Sequence, residues 1–124
     1  MINLLDTTFI INTKNITESN IKELRVTINF ILKHYTTNIL IVESSNYPKL
    51  KYLYDNLGYL HIAQKEGMVG SLNTAIKSAT SKYVIVLDQG LLAKPSIVNI
   101  ALTELRKGKL TYILPYGKEI RHLK

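Results

Sequence analysis

Two apolar stretches of this sequence each end in a carboxylate, and these two carboxylates are the first candidates for chemistry. Residues 38–43 end at Glu43, and residues 82–88 end at Asp88, with Gly90 shortly after. A continuous apolar run is typical of a strand buried in a parallel sheet, and open parallel sheets bind ligands beyond the carboxyl ends of their strands. The pattern predicts that Glu43 and Asp88 leave neighbouring strands at one edge and meet in a shared cleft.

Each acid also has a purely structural interpretation. Asp88 can cap the turn or helix that follows its strand, and Glu43 can be a solvated acid that caps the turn at Ser44 and Ser45. Three tyrosines can stack on a base or simply pack around the sheet, at positions 52, 54 and 59. The histidines lack metal-ligand spacing, so no catalytic histidine is assigned; they are His34, His61 and His122.

A glycine-containing segment before the Asp88 strand offers a second group of candidates. Gly67 and Gly70 allow close approach of the backbone to a phosphate, but they lack the spacing of a P-loop or dinucleotide motif. Lys65 immediately precedes this loop, and we expect it, ahead of Lys14 and Lys94, to neutralise phosphate. Asn73 falls in the first turns of the next helix, where asparagine commonly bonds to nearby backbone.

The elements that position these residues alternate along the chain. Apolar periodicity predicts strands near 7–13, 38–43, 60–63, 82–88 and 110–114, and helices near 17–35, 48–57, 67–79 and 95–107. The basic tail 118–124 has no evident partner. Strands that alternate with helices need crossover connections, so we predict an α/β fold: a mainly parallel sheet of about five strands with flanking helices.

Composition indicates one soluble domain, residues 1–124. The chain is 46% hydrophobic and 20% charged, and no apolar run approaches the ~20 residues that span a bilayer. The first residues do not have the pattern of a secretory signal, and the absence of cysteine excludes disulfides and suits a reducing compartment. We therefore expect a cytoplasmic location.

A net charge of +7, from 16 basic and 9 acidic residues, favours anionic partners. The basic residues lie in separate segments, so a solvated basic surface is the simpler interpretation. No nucleic-acid-binding motif stands out, which leaves no strong nucleic-acid signal.

In their order along the chain, these segments resemble the nucleotide-sugar-binding half of GT-A glycosyltransferases, particularly the inverting family-2 enzymes. Residues 10–15 resemble the family's polar turn ending in asparagine, and residues 41–46 its acid-rich turn, with glutamate in place of aspartate. Residues 67–75 resemble its glycine-rich loop and helix, and residues 87–90 its aspartate motif. The similarity covers nearly the whole chain and implies a GT-A, Rossmann-like nucleotide-binding half.

The resemblance implies a set of residues that bind a nucleotide sugar. Together with Lys65, they are Thr13, Asn15, Glu43, Asn73 and Asp88. By this resemblance, Glu43 contacts the uracil and Asp88 contacts ribose or a divalent cation, Mn²⁺ or Mg²⁺. The family's second metal-side aspartate falls at Gly90, so the cation loses an oxygen ligand here.

The leading hypothesis is a domain that binds a UDP-type sugar nucleotide for inverting glycosyl transfer. The resemblance assigns no catalytic base, because the family's acceptor-binding half usually supplies it; a separate partner can provide that half. Gly90 and the short length favour an alternative, a catalytically inactive module for interaction or homo-oligomerisation. A generic nucleotide-binding or regulatory domain, or a basic nucleic-acid binder, is a third hypothesis.

Overall fold

Four parallel strands form the central sheet of the computed structural model, which describes residues 1–14, 16–44, 50–51, 56–62, 67–108, 110–113 and 120–123. In chain order they are β1 (Ile2–Lys14), β2 (Tyr35–Ser44), β3 (Gly58–Ile62) and β4 (Tyr83–Asp88). The order across the sheet is β3-β2-β1-β4, so β1 lies between β2 and β4. The predicted α/β fold with a mainly parallel sheet is confirmed.

Helices cover both faces of this sheet. They are α1 (Ile21–His34), α2 (Gly67–Ser78) and α3 (Pro95–Arg106). Successive strand residues point to opposite faces, so Phe9 and Ile11 join a core with α1 and α3, whereas Ile10 joins a second core with Ala75 of α2. The β1 strand is therefore buried on both faces.

Aromatic packing links the amino end of β2 to this core. The ring centroid of Phe9 lies 5.3 Å from that of Tyr35, and the Tyr35 hydroxyl donates a hydrogen bond of 2.5 Å to the carbonyl oxygen of Ala93. Tyr35 is 3% exposed and begins β2, although the sequence pattern placed it at the end of the first helix. Its extended backbone ends α1 at His34.

The predicted fifth parallel strand is the main correction to the topology. The next strand, β5 (Leu110–Ile113), pairs antiparallel with β6 (Ile120–Leu123) in a separate two-stranded sheet. The basic tail, for which the sequence suggested no partner, thus contributes a strand. Apolar periodicity indicates that a strand forms but does not specify its partner, because pairing depends on backbone hydrogen bonds between distant residues.

The position of β4 was also predicted incorrectly. Its apolar sequence suggested the buried middle of the sheet, but β4 is one of the two edge strands of the four-stranded sheet, and Val86 is 41% exposed. The β1 strand begins at Ile2, five residues earlier than expected at Thr7. A helix predicted at 48–57 lies largely outside the described residues.

Within the described part of the chain, no helix has the length and apolar character needed to cross a bilayer.

Candidate functional site at the carboxyl edge of the sheet

The carboxyl ends of three parallel strands bring the two acids to one edge. Glu43 on β2 pairs in register with Thr13 on β1, and Asp88 on β4 pairs with Asn12, the preceding residue of β1. The shared edge agrees with the sequence-based expectation. The strands that carry Glu43 and Asp88 are not neighbours, however, because β1 lies between them.

The two carboxylates also leave this edge toward different faces. Ile41 packs in the core beneath α1 and α3, and Glu43, two residues later, points to that same face. Leu87 packs against that core as well, so Asp88 points to the opposite face, beneath which α2 lies. The sequence predicted a single cleft that both side chains enter directly. No such cleft forms among the described residues.

Glu43 is buried and holds two parts of the chain together. Its side chain is 1% exposed, and Oε1 accepts hydrogen bonds from the Leu50 backbone N–H at 3.0 Å and from the Tyr59 hydroxyl at 2.6 Å. Burial raises the pKa of Tyr59, and the hydrogen bond and negative charge of Glu43 raise it further. The interpretation of Glu43 as a solvated acid is therefore wrong. Its carboxylate accepts hydrogen bonds from both the chain after β2 and strand β3 and so joins the two.

Thr13 is also buried, and its side chain joins β1 to β2. Its Oγ1 donates a hydrogen bond of 2.8 Å to the carbonyl oxygen of Val42, and the residue is 0% exposed. Thr13 and Glu43 are thus both buried and hydrogen-bonded beneath the edge.

Asp88, by contrast, is exposed at the start of a tight turn. The turn is closed by the Leu91 backbone N–H, which donates to the carbonyl oxygen of Asp88 at 3.2 Å. This bond uses the backbone of Asp88, so the carboxylate is not what closes the turn. The exposed carboxylate is directed to solvent at the edge of the sheet.

The turn after β4 is attached to helix α1. Gly90 has a φ of 94°, and its backbone N–H donates to Thr27 Oγ1 at 2.7 Å. Gln89 Nε2 makes a longer contact, 3.5 Å, with Glu23 Oε2. Thr27 and Glu23 are site residues that the sequence gave no reason to select, because in an isolated helix pattern they are ordinary polar positions.

The remaining predicted residues are not brought together by the described structure. Asn73 is exposed on α2, and Lys94 is exposed in the loop before α3. Asn15 and Lys65 lie outside the described residues, and of Lys14 only the backbone is described.

A cavity of about 510 Å³ opens beside this edge, between the start of α1 and the chain after β2. Its lining combines apolar and charged side chains: Ile16, Thr17, Glu18, Ile21, Lys22, Arg25 and Leu50. Leu50 connects the cavity to Glu43 through the hydrogen bond described above. Sequence reasoning missed Lys22 and Arg25, because exposed basic residues one helical turn apart are common on any amphipathic helix.

Among the described residues, few protein oxygens are placed to coordinate a divalent cation at this edge. Among residues whose positions are described, no group of three or more histidine, cysteine or acidic side chains is arranged to hold a metal ion. At the end of β4 the motif supplies one carboxylate, Asp88, with Gly90 two residues later. Mg²⁺ needs near-octahedral oxygen coordination, so a single carboxylate leaves most of its ligands to other groups.

Comparison with known proteins identifies a family. The family model described as glycosyl transferase family 2 matches residues 8–116, which include β2, β4, the part of β1 from Thr8 onward and the edge formed by the ends of these strands. Searches among curated proteins and among solved structures gave no match.

Proposed function

The chain belongs to glycosyl transferase family 2, and from this premise we propose that it binds a nucleotide-sugar donor at the carboxyl edge of its parallel sheet. The observation that carries the proposal is that the family match spans the strands whose ends meet at this edge. Carboxyl edges of open parallel sheets are where such folds bind nucleotides. We favour a UDP-type donor, as the resemblance of residues 41–46 implies.

The proposed contacts divide between a buried and an exposed group. Thr13 and Glu43 support the base end of the nucleotide from beneath, since both side chains are buried and hydrogen-bonded. Asp88, which is exposed, contacts the ribose. Asn15, Lys65 and Asn73 complete the proposed nucleotide-sugar-binding residues.

The proposed reaction is glycosyl transfer with inversion. The acceptor hydroxyl oxygen attacks the anomeric carbon, the bond from that carbon to the diphosphate oxygen breaks, and the diphosphate leaves with the electron pair. A base takes the hydroxyl proton, and positive charge near the diphosphate stabilises the leaving group. The described residues support donor binding, and we assign the base to none of them.

Calorimetric titration with UDP, GDP and their sugars tests donor binding. We expect UDP to bind, and we expect Asp88→Asn to weaken that binding by about tenfold, the loss of roughly one good polar contact. Asp6→Asn is the matched control, because Asp6 is an exposed acid that pairs with Arg106 at 3.8 Å, away from the carboxyl edge. Absence of heat from every nucleotide would contradict the proposal.

The second candidate function is a catalytically inactive module for interaction or homo-oligomerisation. It is favoured by Gly90, which lies where the family has a second acid. Gly90 belongs to a turn that is hydrogen-bonded to α1. Light scattering over a range of concentrations separates the two candidates. Concentration-dependent assembly without nucleotide binding supports the inactive module, whereas a monomer that transfers sugar eliminates it.

A further inference from the structure

The cavity beside the carboxyl edge combines an apolar floor with a cationic rim. Its floor is formed by Ile16 and Leu50, which are 4% and 1% exposed, and by the half-buried Ile21. All three side chains pack in or against the core beneath α1 and α3. The floor is thus the outer surface of that core, and covering it with an apolar group is favourable because it removes apolar surface from water.

Two cationic side chains of α1 line the rim. Lys22 and Arg25 are exposed and lie three residues apart, so they are neighbours on the helix surface. Neither forms an ion pair with an acid in the described part of the chain. Glu23 contacts the turn after β4 instead, where its Oε2 lies 3.5 Å from Gln89 Nε2. With Glu18 as the acid of the described lining, positive charge is in excess at the rim.

The dimensions and chemistry of the cavity suit a small organic molecule. Its volume of about 510 Å³ lies within the range of roughly 300–1,000 Å³ that is typical of ligand pockets. Such pockets have mainly apolar walls and a few polar groups that orient the ligand. A guanidinium binds the oxygens of a phosphate through paired N–H donors, and an ammonium adds a point charge. The lining therefore favours a molecule with an apolar body and an oxyanion at one end.

We propose that this cavity binds a small organic phosphate with an apolar body, at a site separate from that of the nucleotide sugar. The body covers the floor formed by Ile16, Ile21 and Leu50, and Lys22 and Arg25 hold the phosphate. A phosphate monoester carries about −1.5 to −2 charges at neutral pH, which two cations can balance. The proposal does not depend on the proposed function, because none of the lining residues belongs to the proposed nucleotide-sugar-binding set.

The test uses naphthyl phosphate as the probe, with naphthol and inorganic phosphate as its two matched fragments. Titration of the full chain is followed by backbone amide chemical shifts. We expect the whole probe to bind at least about tenfold more tightly than either fragment, because floor and rim contribute together. The largest shift changes should lie at Ile21, Lys22 and Leu50. Absence of binding, equal binding of either fragment, or shift changes that omit these residues would overturn the proposal.

Substitutions on the surface of α1 test the rim without disturbing the core. We expect Lys22→Gln and Arg25→Gln each to weaken binding of naphthyl phosphate about tenfold and to leave naphthol binding unchanged, because each removes a charged contact to the phosphate. Lys33→Gln is the matched control, since Lys33 is an exposed lysine in the last turn of α1 and does not line the cavity. Unchanged affinity in both rim variants would overturn the proposal.

Competition with UDP tests whether the two sites are separate. Naphthyl phosphate should bind the UDP-saturated chain with an affinity within about twofold of that for the free chain. Displacement of either ligand by the other would overturn the proposal, because it would show that the cavity is part of the nucleotide site. If UDP does not bind at all, the proposed function fails, and the titrations with naphthyl phosphate and its fragments still decide the present proposal.

Discussion

At the scale of single residues, Glu43 shows how a candidate ligand can have an internal role. A carboxylate that is 1% exposed is costly to bury unless donors satisfy it, and here Leu50 N–H and the Tyr59 hydroxyl both donate to Oε1. These bonds join the chain after β2 to β3. The acid at the end of β2 therefore stabilises the edge on which the proposed nucleotide site depends.

We predict that Tyr59→Phe lowers the free energy of unfolding by about 1.5–3 kcal/mol, the usual range for a hydrogen bond to a charged group. The cause is the loss of one donor to the buried Glu43 carboxylate. Urea denaturation measures the change. Tyr83→Phe is the control, because the Tyr83 ring is half-buried at β4, where Lys82 and Arg106 lie over it. The free energy of unfolding of this variant should change by less than about 0.5 kcal/mol. Equal losses in the two variants would contradict this account.

We predict a loss of stability in alkaline solution that depends partly on Tyr35. Burial raises the pKa of Tyr35 from 10.0 to about 12. Below pH 10 the Tyr35 hydroxyl stays protonated in both the folded and the unfolded state, so its contribution to stability is complete. As pH rises toward about 12, the free energy of unfolding falls, because Tyr35 ionises first in the unfolded state. Denaturation measures the free energy of unfolding at pH 9 and at pH 11.5. The decrease between these two pH values should be smaller for Tyr35→Phe than for the unmodified chain. Identical pH dependence in the two proteins would exclude Tyr35 as a cause.

At the scale of elements, the turn after β4 is joined to helix α1 by a hydrogen bond. The Gly90 N–H reaches Thr27 Oγ1, and Thr27 Oγ1 in turn donates to the Glu23 carbonyl oxygen at 3.3 Å. Pairing of β4 with β1 places Asp88 at the edge, and the turn that follows it is held by a helix far away in sequence. Changes on α1 should alter the turn that carries the candidate ligand.

We predict that Thr27→Val destabilises the protein by about 1–3 kcal/mol, because it leaves the Gly90 N–H without its acceptor while nearly preserving side-chain shape. Hydrogen exchange should accelerate at Gly90 relative to the core of β1. Thr103→Val is the matched control, since Thr103 is an exposed helical threonine whose Oγ1 bonds only locally, to the Asn99 carbonyl oxygen at 2.7 Å. Unchanged exchange at Gly90 in Thr27→Val would show that the turn does not depend on α1.

At the scale of the whole molecule, the central strand β1 organises both cores. Phe9 and Ile11 face α1 and α3, while Ile10 faces α2, and all three are 0% exposed. Burial on both faces explains why β1 is apolar without alternation. Its parallel pairing with β2 and β4 sets the edge where the candidate residues gather.

We predict that Phe9→Ala lowers the free energy of unfolding by about 3–5 kcal/mol, since it removes a fully buried ring that packs on Tyr35 and leaves a cavity. Val26→Ala, at a helical position that is 50% exposed, should change it by less than about 0.5 kcal/mol. Denaturant midpoints measure both. A small effect of Phe9→Ala would mean that this core is less tightly packed than the structure indicates.

Much of the architecture follows from local patterns that a sequence displays directly. The apolar runs of β1, β2 and β4 identify strands, and α3 begins at Pro95 and ends shortly before Gly108, as these two residue types predict. The carboxyl-edge location of Glu43 and Asp88 also follows, because parallel strands align their ends. The prediction of a family-2 domain is confirmed by the match over residues 8–116.

Other features were decided by contacts between residues far apart in the chain. The partner of β5, the outer position of β4, the burial of Glu43 beneath Tyr59 and the attachment of Gly90 to Thr27 all depend on tertiary packing. A side chain's hydrogen-bond partner and the face it occupies are set by strand order and register, and periodicity alone does not encode these. The sequence by itself thus determined which elements form and which edge carries the acids; the tertiary structure decided which acid is exposed, because exposure depends on what other segments cover.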